Sequence, residues 1–228
     1  MPTGNPAAPE GAEPVGIVLA GGASRRFGRD KATLEIARRS DRREGREGRE
    51  GEEGETGVET LAEWAFRRLG QVCAEVAVAD AGRSLVTGAL SLSDGPGRGP
   101  AAGLLGAARA FPARSLLVLA CDLPAVPAHL LAKIAEVAAG AAFDLVLPRW
   151  EEGAEPLAAL YGPKALAALD RRVAAGNYAL YDLAEEPGLT VAALSEADLQ
   201  SFGPPREIFA NVNTPEDLAR WSARQQKD

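Results

Sequence analysis

The chain has 228 residues, 25 Lys and Arg against 32 Asp and Glu, a formal net charge of −7, and 46% hydrophobic residues. That is ample material for a soluble core, and the acidic balance argues against a dedicated nucleic-acid binder or a polybasic membrane anchor. Two cysteines and one histidine exclude a disulfide scaffold, a four-ligand Cys/His zinc site and a catalytic triad with a choice of histidines. No apolar run approaches the roughly 18 residues that span a bilayer, and Met1 to Glu13 has no apolar signal region, so the expectation is a cytoplasmic protein with no membrane partner.

Residues 1–13 are rich in Pro, Gly and Ala without periodicity and are expected to be a disordered tail. Val15 to Ala20 is an apolar strand running into a glycine-rich loop. The stretch 38–57 holds six Arg, seven acidic residues and five Gly, and reads as a charged, solvated insertion. Leu61 to Leu69 has helical spacing, and strands follow at Ala74–Ala79 and Leu90–Leu92. Ala101 to Phe111 reads as a helix, and Ser115 to Ala120 as a strand buried on both faces. Pro127 stands near the start of a helix reaching about Ala139. Strands at Phe143–Leu147 and Leu157–Tyr161, and a helix at Pro163–Val173, come next. Thr214-Pro215-Glu216-Asp217 opens a last helix with a cap, an N1 proline and early acids. Strands alternating with helices imply a mostly parallel sheet covered on both faces. In such sheets ligands sit beyond the carboxyl ends of the strands, which directs attention to the loops after Ala20, Leu92 and Ala120.

In the first of these loops Gly21, Gly22 and Gly28 let backbone N–H groups approach a phosphate chain, with Arg25, Arg26 and Lys31 as cations. Neither the P-loop spacing nor the dinucleotide fingerprint is present. In the second, Asp94 follows a short strand and Gly99-Pro100 leads into a helix N-terminus, a place suited to phosphate. In the third, Asp122 follows a strand buried on both faces, where a carboxylate requires a cation or donors. A Mg²⁺ ligand and a helix cap are both open to Asp122 on these grounds. Asn211 and Asn213 share one side of an extended segment, where amide oxygens can complete a metal shell. Cys121 reads as a small buried hydrophobe, and His129 has no assigned role.

Four groups of residues together resemble the nucleotidyltransferase-like family, and most closely the molybdenum cofactor guanylyltransferases of the MobA type. They are Leu19-Ala20-Gly21-Gly22 with Arg26, Gly28, Asp30 and Lys31; Asp94 with Gly99, Pro100 and Gly103; Cys121-Asp122 with Pro124; and Asn211 to Leu218. Glu155-Pro156-Leu157 with Tyr161 adds to the match. The resemblance implies a single-domain, three-layer α/β/α sandwich over 14–228, with a Rossmann-like, mostly parallel sheet of the nucleotide-diphospho-sugar transferase type, and the insertion at 38–57 hanging from its rim. It implies Mg²⁺-dependent transfer of GMP from GTP to the terminal phosphate of Mo-molybdopterin, with pyrophosphate released, and molybdoenzyme apoproteins as further partners.

On the same resemblance, the backbone at Leu19, Ala20 and Gly21 meets guanine and ribose, and Gly22, Asp94 and Gly103 belong to the nucleotide site. Lys31 and Arg26 hold phosphates, and Asp122 holds the metal with Asn213 as second ligand. Gly21 stands where related cytidylyltransferases often carry Ala, which favours guanine by making room for a purine. Phe27 replaces a frequent Met, and Ala79-Asp80 replaces an Asn that contacts nucleotide in some members. Arg149, Trp150, Asn177 and Tyr178 mark the expected rim of the acceptor pocket. The attacking phosphate is already ionised at neutral pH, so no general base is required. The alternatives are a related enzyme using CTP with molybdopterin, one using another nucleotide with a sugar or polyol phosphate, or a catalytically silent nucleotide-binding carrier.

Overall fold

The computed structural model describes residues 13–21, 30–38 and 57–225. Most of the expected N-terminal tail, the interior of the charged insertion, and Gly22, Arg25, Arg26, Phe27 and Gly28 of the first loop lie outside the described residues. In chain order the elements are β1 (Val15–Leu19), β2 (Glu35–Arg38), β3 (Gly57–Thr60), α1 (Leu61–Leu69), β4 (Val76–Ala79), β5 (Leu90–Leu92), α2 (Gly99–Ala110) and β6 (Leu116–Ala120). They continue with α3 (Ala128–Gly140), β7 (Leu145–Trp150), β8 (Gly153–Ala154), β9 (Ala158–Tyr161), α4 (Pro163–Ala174), β10 (Val191–Leu194), α5 (Glu196–Leu199), α6 (Pro205–Ile208) and α7 (Pro215–Gln225). Among the described residues no helix is long and apolar enough to cross a membrane.

The main sheet runs β10-β7-β9-β6-β1-β4-β5, with β8 paired to β7. Within that row β9 alone runs against its neighbours; the other pairings are parallel. The mostly parallel expectation therefore holds, with one reversed strand. Every residue of β1 and β6 is buried, as continuously apolar sequences in the middle of a covered sheet require. Helices α1 and α3 pack against each other on one side, and α2 and α4 on the other, giving three layers.

Local chemistry fixes how the helices begin. Thr60 closes a capping box on α1: its hydroxyl accepts from the Glu63 N–H, and the Glu63 carboxylate accepts from the Thr60 N–H. Helix α1 buries Leu61, Ala62, Trp64, Ala65 and Leu69, and the Trp64 indole donates to the Pro124 carbonyl at 3.0 Å. Trp221 of α7 meets Trp64 edge-on, with ring centroids 5.4 Å apart. Helices α1 and α7 thereby meet beside the segment that follows β6. On the opposite face, α2 comes so close to the chain after β5 that a Cβ at Gly106 would drive into the Ser93 carbonyl, and one at Gly95 would stand 2.7 Å from the Gly106 nitrogen. This backbone-to-backbone contact sets the position of Asp94.

The insertion begins and ends in structure. Arg38 pairs with Gly57 at the open end of an antiparallel ribbon, β2–β3, separate from the main sheet. Ile36 within it and Leu34 just before it are buried.

Candidate active site

Strand register brings four loops to one edge of the sheet. Leu19 aligns with Ala79 on one side and with Ala120 on the other, and Ala79 aligns in turn with Leu92. The chain therefore leaves β1, β4, β5 and β6 at the same level, and a cavity of about 400 Å³ opens there. Leu19, Ala20 and Gly21 form one wall; Asp94, Gly99, Pro100 and Gly103 form another. Asp30, Lys31, Asp122 and Asn213 bring the polar groups.

Three of these meet directly. The Lys31 ammonium donates to Asp122 Oδ2 at 2.8 Å and to Asn213 Oδ1 at 2.7 Å, although the partners are 91 and 182 residues away in sequence. Each residue is held from behind. Lys31 rides on a single 3-10 turn, Lys31–Thr33, capped by Asp30 Oδ1 accepting from the Ala32 N–H. Asp122 follows Cys121, whose N–H donates to the Leu19 carbonyl at 3.1 Å, and the Asp122 carbonyl accepts from the Val212 N–H at 2.8 Å. Asn213 is oriented by its own N–H, which donates to Asp217 Oδ2 at 3.0 Å, while the Asp217 N–H donates to the Thr214 hydroxyl at 3.2 Å. The Asn-Thr-Pro helix start thus serves two purposes: it opens α7 and it aims an amide oxygen into the cavity.

Of the residues singled out in the sequence, Leu19, Ala20, Gly21, Lys31, Asp94, Gly103, Asp122 and Asn213 line this one cavity. Gly22 and Arg26 lie outside the described residues. The expected acceptor rim is not assembled around the cavity. Trp150 stacks on Phe209 with centroids 4.7 Å apart, Arg149 pairs with Glu185 at 2.6 Å, and the Asn177 side chain accepts from the Ala179 N–H at 3.0 Å. Tyr178 comes nearest, its ring beneath the Arg98 guanidinium at 5.2 Å, one residue before the start of α2. Each of these side chains is engaged in holding local structure. His129 stacks on Phe202, away from the cavity. The Cys121 thiol lines the cavity but is buried, and burial, with the Asp122 charge adding to it, pushes its pKa up to about 12. A thiol held so firmly protonated is no nucleophile.

Two further features concern residues already named from the sequence, Asp80 and Glu155. The rule about carboxyl ends applies equally to the loop after β4. Its Asp80 is fully buried, and its carboxylate accepts from the N–H groups of Arg83 and Leu85 and from the Ser91 hydroxyl. With both oxygens committed to the loop, Asp80 makes no substitute for a nucleotide-contacting Asn. The second feature is Glu155, buried at the start of the β9 segment with Oε1 accepting from the Leu157 N–H at 2.9 Å.

Burial raises the Glu155 pKa to about 7; the Leu157 N–H pulls it down and the Asp122 charge adds to the rise. The unfolded chain loses that proton near 4.5, so between these values only the folded state keeps it. Stability from this group is full below the unfolded value and is lost as pH rises through about 7. Glu155→Gln, which keeps the acceptor oxygen, is expected to match the wild type at pH 4.5 and exceed it at pH 8 by up to about 3 kcal/mol. Denaturant midpoints at the two pH values check this; equal stability at pH 8 would contradict it.

The pattern of the MobA-like NTP transferase domain matches residues 16–191. The chain belongs to this family. A probable molybdenum cofactor guanylyltransferase of Pelotomaculum thermopropionicum is 31% identical over 90% of this chain and 90% of its own. Another, from Mycolicibacterium paratuberculosis, is 34% identical over 89% and 92%. Among solved structures, molybdopterin-guanine dinucleotide biosynthesis protein A from Archaeoglobus fulgidus superposes with a TM-score of 0.72 at 25% identity, covering 94% of this chain and all of that one. As a MobA-like NTP transferase, the chain is matched from the second residue of β1 to the first of β10, a span that holds β1, β4, β5 and β6 at the cavity, while Asn213 and α7 lie beyond it.

Proposed function

We propose that this protein transfers GMP from GTP to the terminal phosphate of Mo-molybdopterin, releasing pyrophosphate and forming the guanine dinucleotide of the cofactor. The observation that carries the reading is the convergence of Lys31, Asp122 and Asn213 in a cavity walled by Leu19–Gly21 and the start of α2.

Gly21 supports a purine. Among the described residues a Cβ added there meets nothing nearer than the Ala79 carbonyl at 3.9 Å, so their packing does not demand glycine. A purine placed there meets no Cβ from this position. Helix α2 starts at the cavity with no side-chain cap among the described residues, and the N–H groups of its first turn, Pro100 aside, can meet phosphate oxygens. Asp94 stands on the same wall and can accept from base or ribose.

Among the described residues no cluster of three or more His, Cys, Asp or Glu is placed to hold a metal unaided. The donors present fit a different pattern: one carboxylate and one amide oxygen already converge on a cationic group, with the phosphates left to complete the shell. Asp122, with Asn213 beside it, would hold Mg²⁺, which when bound neutralises phosphate charge. Lys31 then turns its ammonium from these oxygens to the triphosphate, where a point charge with three donors suits a migrating negative charge. An acceptor phosphate oxygen forms the new bond to the α-phosphorus, the bond to the bridging oxygen breaks, and pyrophosphate leaves with its electron pair. The protein's part is to position and to neutralise.

The test is a comparison of GTP, CTP, UTP and ATP, each with Mg²⁺, by thermal unfolding. A ligand at about a hundred times its Kd adds about 2.7 kcal/mol, or roughly 5 to 10 °C for a chain of this size. GTP alone is expected to give that shift; a larger shift with CTP would replace guanine by cytosine in the reading, and no shift with any of them would remove it.

A further inference from the structure

We propose that Arg83 is a positioning residue for this site: it ties Ala20 to Asp30 and neutralises the Asp30 carboxylate on the cavity wall, fixing the turn that carries Lys31. This rests on the nucleotidyl-transfer reading above and extends it to a residue that is not among the described residues lining the cavity.

The guanidinium makes three contacts in three directions. Nε donates to the Asp80 carbonyl at 2.7 Å, Nη2 to the Ala20 carbonyl, and Nη1 to Asp30 Oδ2. Ala20 follows β1 directly, and Asp30 directly precedes Lys31. One planar group therefore joins the strand that walls the cavity to the turn that delivers its cation. A lysine, with one point charge on a flexible stem, cannot satisfy all three acceptors at once.

The loop beneath Arg83 is built to hold it. Asp80, fully buried, accepts from the Arg83 N–H at 3.2 Å, from the Leu85 N–H at 2.9 Å and from the Ser91 hydroxyl. On either side of Arg83, Ala81 has φ 58° and Ser84 φ 54°, a region that side-chain-bearing residues enter only when their surroundings force it. The Gly82 N–H donates to the Leu92 carbonyl at 3.1 Å, fastening the loop to β5.

The electrostatic consequence lies at Asp30. This residue lines the cavity, where an unpaired carboxylate would repel a triphosphate. Arg83 cancels that charge through Oδ2 and leaves Oδ1 free to cap the Lys31 turn by accepting from the Ala32 N–H at 3.1 Å. Loss of Arg83 therefore exposes a negative wall to the phosphates and loosens the turn together. Asp30 and Arg83 act as one unit, and their effects on the nucleotide cannot be independent.

A double-mutant cycle in the full-length protein tests this, with GTP affinity in Mg²⁺ measured by calorimetry and unfolding followed in parallel. Arg83→Gln is expected to weaken GTP binding about tenfold, the scale of a lost charged hydrogen bond. In an Asp30→Asn background the same change is expected to cost less than about threefold, because the charge it left uncovered is gone. Arg83→Lys, which restores the charge but not the fork, should recover part of the loss. An additive cycle, or a lower melting temperature with unchanged GTP affinity, would overturn the role of Arg83 and leave the transferase reading standing. Wild-type protein that binds no GTP would overturn that reading itself, and with it any triphosphate for Arg83 to serve.

Discussion

Asp122→Ala is expected to abolish Mg²⁺-dependent pyrophosphate release, a loss of at least about a thousandfold in kcat, while the protein still folds. The magnitude follows from the several kcal/mol that a bound cation contributes to a phosphoryl transition state, at 1.36 kcal/mol per factor of ten. The retained fold follows from what holds this segment. The Asp122 carbonyl, not its carboxylate, receives the Val212 N–H, and the Cys121 N–H fastens the chain to Leu19. The side chain itself is one-fifth exposed and is paired with the Lys31 ammonium. Asp122→Asn should lose nearly as much activity, since an amide keeps the shape and forfeits the charge. Turnover near the wild-type rate in either variant would remove Asp122 from the mechanism.

Lys31→Ala is expected to have two effects of opposite sign. Its kcat/KM for GTP should fall by about a hundredfold to a thousandfold, the usual cost of removing one preorganised donor from a developing charge. In the absence of nucleotide its affinity for Mn²⁺ should rise. The ammonium now sits between Asp122 Oδ2 and Asn213 Oδ1, so a divalent ion aiming for those oxygens competes with it. Removing the lysine leaves the Asp122 carboxylate without that cation. Titration of Mn²⁺ against both proteins, with and without GTP, separates the effects. Unchanged kcat/KM would deny Lys31 its role on the phosphates, and unchanged Mn²⁺ affinity would deny that it shares a site with the metal.

How far the sequence reveals this site depends on the kind of signal each part carries. β1 and β6 are unbroken apolar runs, and a strand buried on both faces writes itself plainly. The start of α7 was equally plain, because cap, proline and acids are local chemistry. β2–β3 was hidden for a physical reason. In β3 the inward residue is Glu59, buried and paired with Arg67 at 2.8 Å, while Val58 points outward and is 66% exposed. The alternation is inverted, so the ribbon reads as the edge of a charged insertion. β10 is an edge strand and only Leu194 is buried, too little pattern to stand out. The reversal of β9 left no mark, because a strand's direction is set by its connections and not by its residue types.

The cavity residues were legible because the rule about carboxyl ends turns sequence into place: once β1 and β6 are neighbours, Ala20 and Cys121-Asp122 must adjoin. Arg83 was not legible. It stands in a loop that reads as a plain turn, and its meaning depends on two residues, Ala20 and Asp30, that only the folded chain brings within its reach. The acceptor rim was less legible, because aromatic and basic residues at a sheet edge serve packing as readily as binding: Trp150 is matched to Phe209, and Arg149 to Glu185.

The most direct measurement is a crystal structure of the full-length protein with GTP and Mn²⁺. The account predicts guanine against Leu19–Gly21, the triphosphate within hydrogen-bonding reach of the Lys31 ammonium, and an anomalous peak on the Asp122 carboxylate. A nucleotide seated elsewhere, or Lys31 still clasped to Asp122 and Asn213 with the triphosphate bound, would contradict it.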